Sequence, residues 1–192
     1  MPSLSAFAPF LTTTGIVAIA EIGDKTQLLS LLLAARFGRP LPILAAILLA
    51  TIANHLLAAW LGVWIDDLVG GAVLRWALAA SFLAMAAWTL IPDKLEDDEA
   101  CVKRAWGAFC TTLVAFFLAE IGDKTQIATT ALAARYSSVA MVAMGSTLGL
   151  FLANAPAVLL GKQVIARLPM TLVRRVAAAA FAILGLVTAI GW

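Results

Sequence analysis

A seven-residue stretch decides the fold of this chain because it occurs twice. Glu21-Ile22-Gly23-Asp24-Lys25-Thr26-Gln27 returns unchanged as Glu120-Ile121-Gly122-Asp123-Lys124-Thr125-Gln126. The similarity extends on both sides at the same offset of 99 residues, so that positions 10–37 correspond to positions 109–136. Farther along, Arg75 matches Arg174 and Phe82 matches Phe181 at that offset. The pattern indicates an internal duplication that covers most of the chain.

The sequence around both copies is too apolar for a water-soluble protein. Of the 192 residues, 63% are hydrophobic and 12% are charged, against roughly 45–50% and about 25% in an average soluble domain. A membrane-spanning helix needs about 20 mainly apolar residues. The candidate spans are 7–35, 41–65, 76–91, 109–134, 139–161 and 176–192. We therefore expect an all-α integral membrane protein with six transmembrane helices.

The duplication divides these helices into two units of three. We predict a first repeat at 1–92, an acidic cytoplasmic linker at 93–105 and a second repeat at 106–192. Because three is odd, the second repeat enters the membrane from the opposite side, which makes the repeats inverted. Inverted repeats are typical of secondary transporters, with the binding site at the repeat interface near the midplane. A duplicated structural bundle without a transport role is the alternative.

The loops indicate orientation and exclude several partners. Lys and Arg are enriched in cytoplasmic loops, and the loops after the first, third and fifth predicted helices hold nine of them, whereas the opposite side holds only Arg75 and Arg135. Both termini should therefore face outward. No loop has room for a nucleotide-binding module, so ATP-driven transport by this chain alone, a cofactor and a nucleic-acid partner are not expected. The partners are the lipid bilayer, the cation and protons, and homo-oligomerisation stays open.

The charges of the repeated stretch lie in the middle of predicted helices. Each Asp, Lys or Arg at a helix centre costs about 2.5–3.5 kcal/mol on insertion scales, so six such charges cost on the order of 15–20 kcal/mol. These side chains must therefore face each other, water or a ligand. An intramembrane ionisable residue is a functional-site hypothesis by default.

Together these charges predict a site for one divalent cation. Four carboxylates and two ammonium groups sum to minus two, which one such ion balances. Glu and Asp at positions i and i+3 share a helix face, so two faces would surround one cavity. The predicted ligands are all hard oxygen donors, which suit Ca²⁺, Mg²⁺ or Mn²⁺. They are Glu21, Asp24, Glu120 and Asp123, with Thr26, Gln27, Thr125 and Gln126, and the neighbours are Lys25, Lys124, Asn54 and Asn154.

A structural alternative explains part of the pattern. Glu21 and Lys25 have the favourable i, i+4 spacing for an ion pair within one helix, as do Glu120 and Lys124. Two such pairs neutralise four charges but leave Asp24 and Asp123 without an explanation. Gly23 and Gly122 weaken the helices within the motif, so a local break is a second possibility.

Other polar residues in the predicted spans give weaker signals. Asn54 and Asn154 occupy similar places after a shift of one residue, and they either extend the site or bond neighbouring helices. His55 is the only histidine. We interpret it first as a packed or hydrogen-bonded residue and second as a proton carrier. We also interpret it as having no counterpart in the second half of the sequence.

The same cluster predicts coupling to protons. Crowded carboxylates in a low-dielectric cavity resist simultaneous ionisation and bind protons when the cation leaves. Cation and protons then compete for one site, and rocking of the two halves exposes it to each side in turn.

At the doubled Glu-x-Gly-Asp-Lys-Thr motif, the sequence resembles the small manganese and calcium exchangers of the Golgi, the chloroplast envelope and bacteria. The resemblance covers nearly the whole chain and implies a cation/proton antiporter rather than an enzyme. It also implies that Glu21, Asp24, Glu120 and Asp123 are the ligands of a transported Mn²⁺ or Ca²⁺. The absence of the N-terminal extension of organellar members suggests a multi-pass protein of the bacterial inner membrane, and for bacterial relatives the implied task is Mn²⁺ export.

Two other functions fit part of the pattern. An intramembrane aspartyl hydrolase would use Asp24 and Asp123 as a pair that shares a proton, but it does not explain the repeated Glu and Lys. An exporter of a cationic amino acid such as lysine would place the substrate's ammonium group among the carboxylates, with Lys25 or Lys124 left for the substrate's carboxylate.

Overall fold

Helices form the secondary structure of the described residues, which in this computed structural model are 7–92, 107–161 and 169–191. These ranges contain α1 (Ala8–Glu21), α2 (Lys25–Phe37), α3 (Pro40–Val69), α4 (Gly71–Thr89), α5 (Gly107–Glu120), α6 (Lys124–Tyr136), α7 (Val139–Leu160) and α8 (Met170–Ile190). The expected all-α class is confirmed for these ranges, which hold no strand. The linker expected at 93–105 lies outside them.

Four of the helices, α3, α4, α7 and α8, are long and apolar enough to cross a membrane. Helices α1 and α5 are apolar but only 14 residues long. The outward faces of the bundle carry large hydrophobic side chains such as Leu57, Trp60 and Ile183, which are all about 60% exposed. Soluble monomers rarely expose so much contiguous apolar surface. The chain is therefore a multi-pass membrane protein.

The expected continuous helices at 7–35 and 109–134 were wrong, because each is two helices separated by a break. The break falls at Gly23 and at Gly122, whose φ angles are +84° and +76°. Only glycine adopts this left-handed region without a steric penalty. Among the described residues, each half thus contains four helices, and equivalent helices begin 99 residues apart.

The two halves interlock. Helix α1 of the first half packs along α7 of the second, and the equivalent α5 packs along α3. Helix α4 packs along α8, its own equivalent. The core mixes both halves in the same way, with Val17 and Ile47 in one cluster with Phe116 and Leu150. This interlocking brings the acids that flank the two breaks to the interior of the bundle.

The α1–α7 crossing is closer than side chains would allow. A Cβ atom added at Gly149 would lie 2.7 Å from the carbonyl oxygen of Thr14 and 2.9 Å from the nitrogen of Ala18. At the equivalent position of α3 stands Ala50, which is buried. Only a residue without a side chain lets α7 approach α1 this closely.

Candidate cation site

The two copies of the repeated stretch fold in the same way. Asp24 has φ −76° and ψ 167°, and Asp123 has φ −75° and ψ 164°. The Asp24 nitrogen donates to the Glu21 carbonyl oxygen at 3.1 Å, and the Asp123 nitrogen donates to that of Glu120 at 3.2 Å. In each copy the Glu ends one helix and the Asp stands immediately before the next. The motif is thus a turn between two helices.

This turn corrects two expectations. Glu21 and Asp24 do not share a helix face, because they belong to the end of α1 and the cap of α2. The i, i+4 ion pair of Glu21 with Lys25 within one helix is also wrong for the same reason. The glycine between them places the carboxylates by its left-handed backbone, not by helical periodicity.

All four motif acids are buried. Glu21 and Glu120 are 0% exposed, Asp24 is 2% exposed and Asp123 is 4% exposed. One oxygen each from Glu21, Asp24 and Asp123 lies within 4.8 Å of the others. Ion–oxygen distances of about 2.0–2.6 Å allow three donors at this separation to contact one ion. Glu120 is not part of this group of three, but its charge acts on Glu21.

The threonines of the motif orient the glutamates. Thr26 Oγ1 donates to Glu21 Oε2 at 2.6 Å, and Thr125 Oγ1 lies 3.5 Å from Glu120 Oε2 as the corresponding donor. The second oxygen of each glutamate, Oε1, accepts no hydrogen bond from the described residues. Each glutamate is therefore held by one oxygen and presents the other to the interior.

The glutamines stabilise the turns. The Gly23 nitrogen donates to Gln27 Oε1 at 2.9 Å, and the Gly122 nitrogen donates to Gln126 Oε1 at 2.6 Å. Gln27 Nε2 also donates to the Ala153 carbonyl oxygen of α7 at 2.8 Å. The predicted ligand oxygens of both glutamines thus already accept a backbone hydrogen bond in this structure.

The motif lysines interact with acids of the other half. Lys124 Nζ lies 3.9 Å from Asp24 Oδ1 and 5.5 Å from the centre of the Trp88 ring. The charge of Lys25 acts on Glu120. Removing either partner of a buried charge pair is strongly destabilising. These interactions tie the two halves together electrostatically.

The alignment of His55 was wrong, because His55 does have a counterpart. Helices α3 and α7 begin at Pro40 and Val139, and His55 and Asn154 each lie fifteen residues beyond that first residue. Asn154 Nδ2 donates to Glu21 Oε2 at 3.3 Å, and His55 Nε2 lies 3.7 Å from Glu120 Oε2. Each therefore approaches the glutamate of the other half.

Asn54, in contrast, bonds a neighbouring helix. Its Nδ2 donates to the Phe117 carbonyl oxygen of α5 at 3.0 Å. Ser30 is a residue that the sequence interpretation missed, since its Oγ donates to Asn154 Oδ1 at 2.7 Å. The signal was its i+4 spacing from Thr26, which the repeat preserves as Thr125 and Thr129.

Helix ends add to the field at the site. The C-terminal ends of α1 and α5 carry the motif glutamates, and a helix C-terminus bears about half a negative charge. The N-terminal ends of α2 and α6, which bear about half a positive charge, lie in the same turns and oppose this contribution. A small cavity of about 10 Å³ adjoins Asp24 and Lys124 and is also lined by Arg174 of α8. The arrangement suits the binding of a small cation without its full hydration shell.

Comparison with known proteins identifies a family of matching sequences. The model described as "Divalent cation/proton antiporter GDT1" matches residues 9–97 and 108–192. A protein of Vibrio cholerae serotype O1 named "Putative manganese exporter" is 54% identical over 187 residues, which are 97% of this chain and 91% of that protein.

More distant relatives match as well. "GDT1-like protein 4" of Oryza sativa subsp. indica is 28% identical over 190 residues, covering 86% of this chain and 67% of that protein. A GDT1-like protein of Synechocystis is 30% identical over 173 residues, covering 80% and 82%. No solved structure matches this chain.

Proposed function

This chain belongs to the GDT1 family of divalent cation/proton antiporters, and on that premise we propose that it exports Mn²⁺ from a bacterial cell in exchange for protons. The family membership makes it a transporter rather than an enzyme, and the expected resemblance is confirmed. The observation that carries the proposal is the convergence of three buried acids from both copies of the motif, Glu21, Asp24 and Asp123, in a membrane protein whose fourth motif acid, Glu120, is buried as well.

The proposed topology has six spans in two inverted repeats. The pairs α1–α2 and α5–α6 each count as one broken span, and α3, α4, α7 and α8 supply the other four. Broken helices at midplane sites recur in secondary transporters. With the excess of Lys and Arg on the cytoplasmic side, both termini face outward from the plasma membrane.

The proposed ligands are the motif acids. Glu21, Asp24 and Asp123 already present oxygens at a separation that one ion can bridge. Glu120 completes the charge of the site, and Thr26 and Thr125 orient the two glutamates. Carboxylate oxygens favour Mn²⁺, Ca²⁺ and Mg²⁺ over softer metals.

We favour Mn²⁺ over Ca²⁺ because the Vibrio cholerae relative, 54% identical, is named as a manganese exporter. The same name supports export as the direction. Ca²⁺ is the next candidate, since an all-oxygen set of ligands also suits it.

The coupling of cation export to proton entry follows from the competition of cation and protons for the same carboxylates. Four carboxylates within a dry interior cannot all remain ionised without a cation, so protons replace the ion when it leaves. Each orientation of the two halves opens the site to one side, where either the cation or protons bind. The inward proton gradient then drives the cation outward.

Purified protein in liposomes with a pH gradient tests this function. We expect Mn²⁺ flux that requires the gradient, exceeds the fluxes of Ca²⁺ and Mg²⁺, and is lost in Glu120→Gln. Lysine flux is measured beside the fluxes of Mn²⁺, Ca²⁺ and Mg²⁺. Gradient-driven flux of lysine without flux of any divalent ion would refute the proposal and favour amino-acid export.

A further inference from the structure

The two halves differ at one residue that approaches the acids. Within otherwise matching surroundings, α7 presents Asn154 to Glu21 and α3 presents His55 to Glu120. We propose that His55 Nε2 is a ligand of the transported cation and that this nitrogen selects Mn²⁺ over Ca²⁺ and Mg²⁺. The inference rests on the proposed function and deepens it by naming what determines ion preference.

The first step is the state of the imidazole. His55 is 0% exposed, and neither of its ring nitrogens makes a hydrogen bond within the described parts of the chain. Burial of a polar group is costly unless a partner replaces the lost water. Asn154 meets this requirement with protein partners, since it donates to Glu21 and Leu150 and accepts from Ser30. His55 therefore has a buried polar atom that a bound cation would satisfy.

The second step is the geometry. His55 Nε2 lies 3.7 Å from Glu120 Oε2, which is beyond hydrogen-bond distance. Two donors on the same ion, each about 2.0–2.6 Å from it, are separated by about 3–5 Å. The nitrogen and the carboxylate oxygen are thus placed as two ligands of one ion would be. Neither His55 nor Glu120 belongs to the group of Glu21, Asp24 and Asp123 that already converges, so this pair would join that group when the ion binds.

The third step is the chemistry of the donor. Ca²⁺ and Mg²⁺ take oxygen ligands almost exclusively, whereas imidazole binds first-row transition metals. One nitrogen among several carboxylates favours Mn²⁺ over the alkaline-earth ions. The converging group of Glu21, Asp24 and Asp123 contains no thiolate, and the chain has no second histidine, which keeps the site unlike those of Zn²⁺ or Cu⁺. His55 thus separates ions that the carboxylates alone would bind alike.

Electron paramagnetic resonance of bound Mn²⁺ tests the nitrogen ligand directly. The chain contains one histidine, so in protein purified without a histidine tag any imidazole coupling arises from His55. We expect a nitrogen modulation of the Mn²⁺ signal that changes when the protein carries histidine with the heavy nitrogen isotope. Bound Mn²⁺ without this modulation would overturn the inference and leave the proposed function intact. Absence of any bound Mn²⁺ would contradict both.

Selectivity provides the second measurement. His55→Asn gives both halves the same residue and should lower the ratio of Mn²⁺ to Ca²⁺ affinity by about tenfold or more. Thr51→Val removes a buried hydroxyl one turn earlier on α3 that makes no hydrogen bond in the described residues, and it should leave the ratio unchanged. Thermal unfolding of both variants without metal tests whether they fold. A folded His55→Asn protein with the original ratio would refute the role of His55.

Discussion

The two copies of the motif have the same seven residues and nearly the same backbone, but they lie in different surroundings. A Cβ atom at Gly23 would lie 2.8 Å from the sulfur of Met170 at the start of α8, whereas one at Gly122 would have no neighbour within 4 Å among the residues that the structure describes. Ile121 is 54% exposed, and the equivalent Ile22 is only partly exposed. This unequal cover of identical sequences fits the proposed inverted repeats with one entrance closed.

Two arginines that match at the offset of 99, Arg75 and Arg174, also lie in different surroundings. Arg174 lines the small cavity beside Asp24. Its equivalent, Arg75, lines a cavity of about 400 Å³ together with Asp66 and Arg135. The larger cavity borders none of the motif acids, so the two arginines lie in unequal surroundings. In the proposed alternating access, these surroundings would exchange.

The largest effect is expected when the carboxylate of one motif glutamate is removed at a time. Glu21→Gln and Glu120→Gln should each lower proton-driven Mn²⁺ flux more than about 100-fold, because loss of one member of a buried charged group costs about 3–5 kcal/mol. Mn²⁺ affinity should fall further in Glu21→Gln, since Glu21 is within the group of three acids that already converge. Flux assays and equilibrium binding measure the two effects. Wild-type flux in either variant would show that the copies are not both required.

At the crossing of α1 with α7 stands Gly149, where the crossing of α5 with α3 has Ala50, and Gly149→Ala would remove that difference. Overpacking against backbone atoms should lower the free energy of unfolding by about 1–3 kcal/mol. Thermal or denaturant unfolding in detergent measures it. Gly15→Ala is the control, because no atom lies within 4 Å of its added Cβ and we expect a change within about 0.5 kcal/mol. Equal effects of the two variants would contradict the close crossing.

Thiol labelling would measure how accessible each of the two turns is. In a background in which Cys101 and Cys110 are replaced by serine, Ile121→Cys should react several-fold faster with a membrane-impermeant thiol reagent than Ile22→Cys, because reaction requires access. The rates are measured in sealed vesicles of known orientation. Equal labelling would show that the two turns are covered to the same extent.

The smallest effect concerns the glycines themselves. Gly23→Ala and Gly122→Ala both place a side chain in the left-handed region, at a cost of about 1–2 kcal/mol. Gly23→Ala should be slightly more destabilising, because its Cβ also meets Met170. Addition of Met170→Ala should remove the excess in thermal unfolding. An excess that persists in the double variant would place its cause elsewhere than in α8.

Much of the fold followed from the repeat. The offset of 99 predicted that the halves would match, and the matching helix starts agree with it. A break at each motif was one of two expectations, and a continuous helix was the other. Gly23 weakens a helix in both cases, so the glycine alone did not decide between them. Helical periodicity then placed Glu21 and Asp24 on one face, which holds only for a continuous helix.

The composition of the candidate site was more predictable than its contacts. Buried charges in an apolar helix identified Glu21 and Glu120 without a structure. Lys124 and Asp24 belong to different halves of the chain. Their contact therefore could not be predicted from the residue spacing within one helix. The equivalence of His55 with Asn154 was present in the offset, but matching by residue type selected Asn54 instead. The helix starts at Pro40 and Val139, which lie at the same offset, show that His55 and Asn154 occupy the same position.

The measurement that tests the central claim most directly is proton release on Mn²⁺ binding to the purified protein in weakly buffered solution. If cation and protons compete for the same carboxylates, protons appear in proportion to bound Mn²⁺ and saturate with it. Glu21→Gln should abolish both binding and release. Mn²⁺ binding without proton release, or equal release from Glu21→Gln, would contradict exchange at the acid cluster.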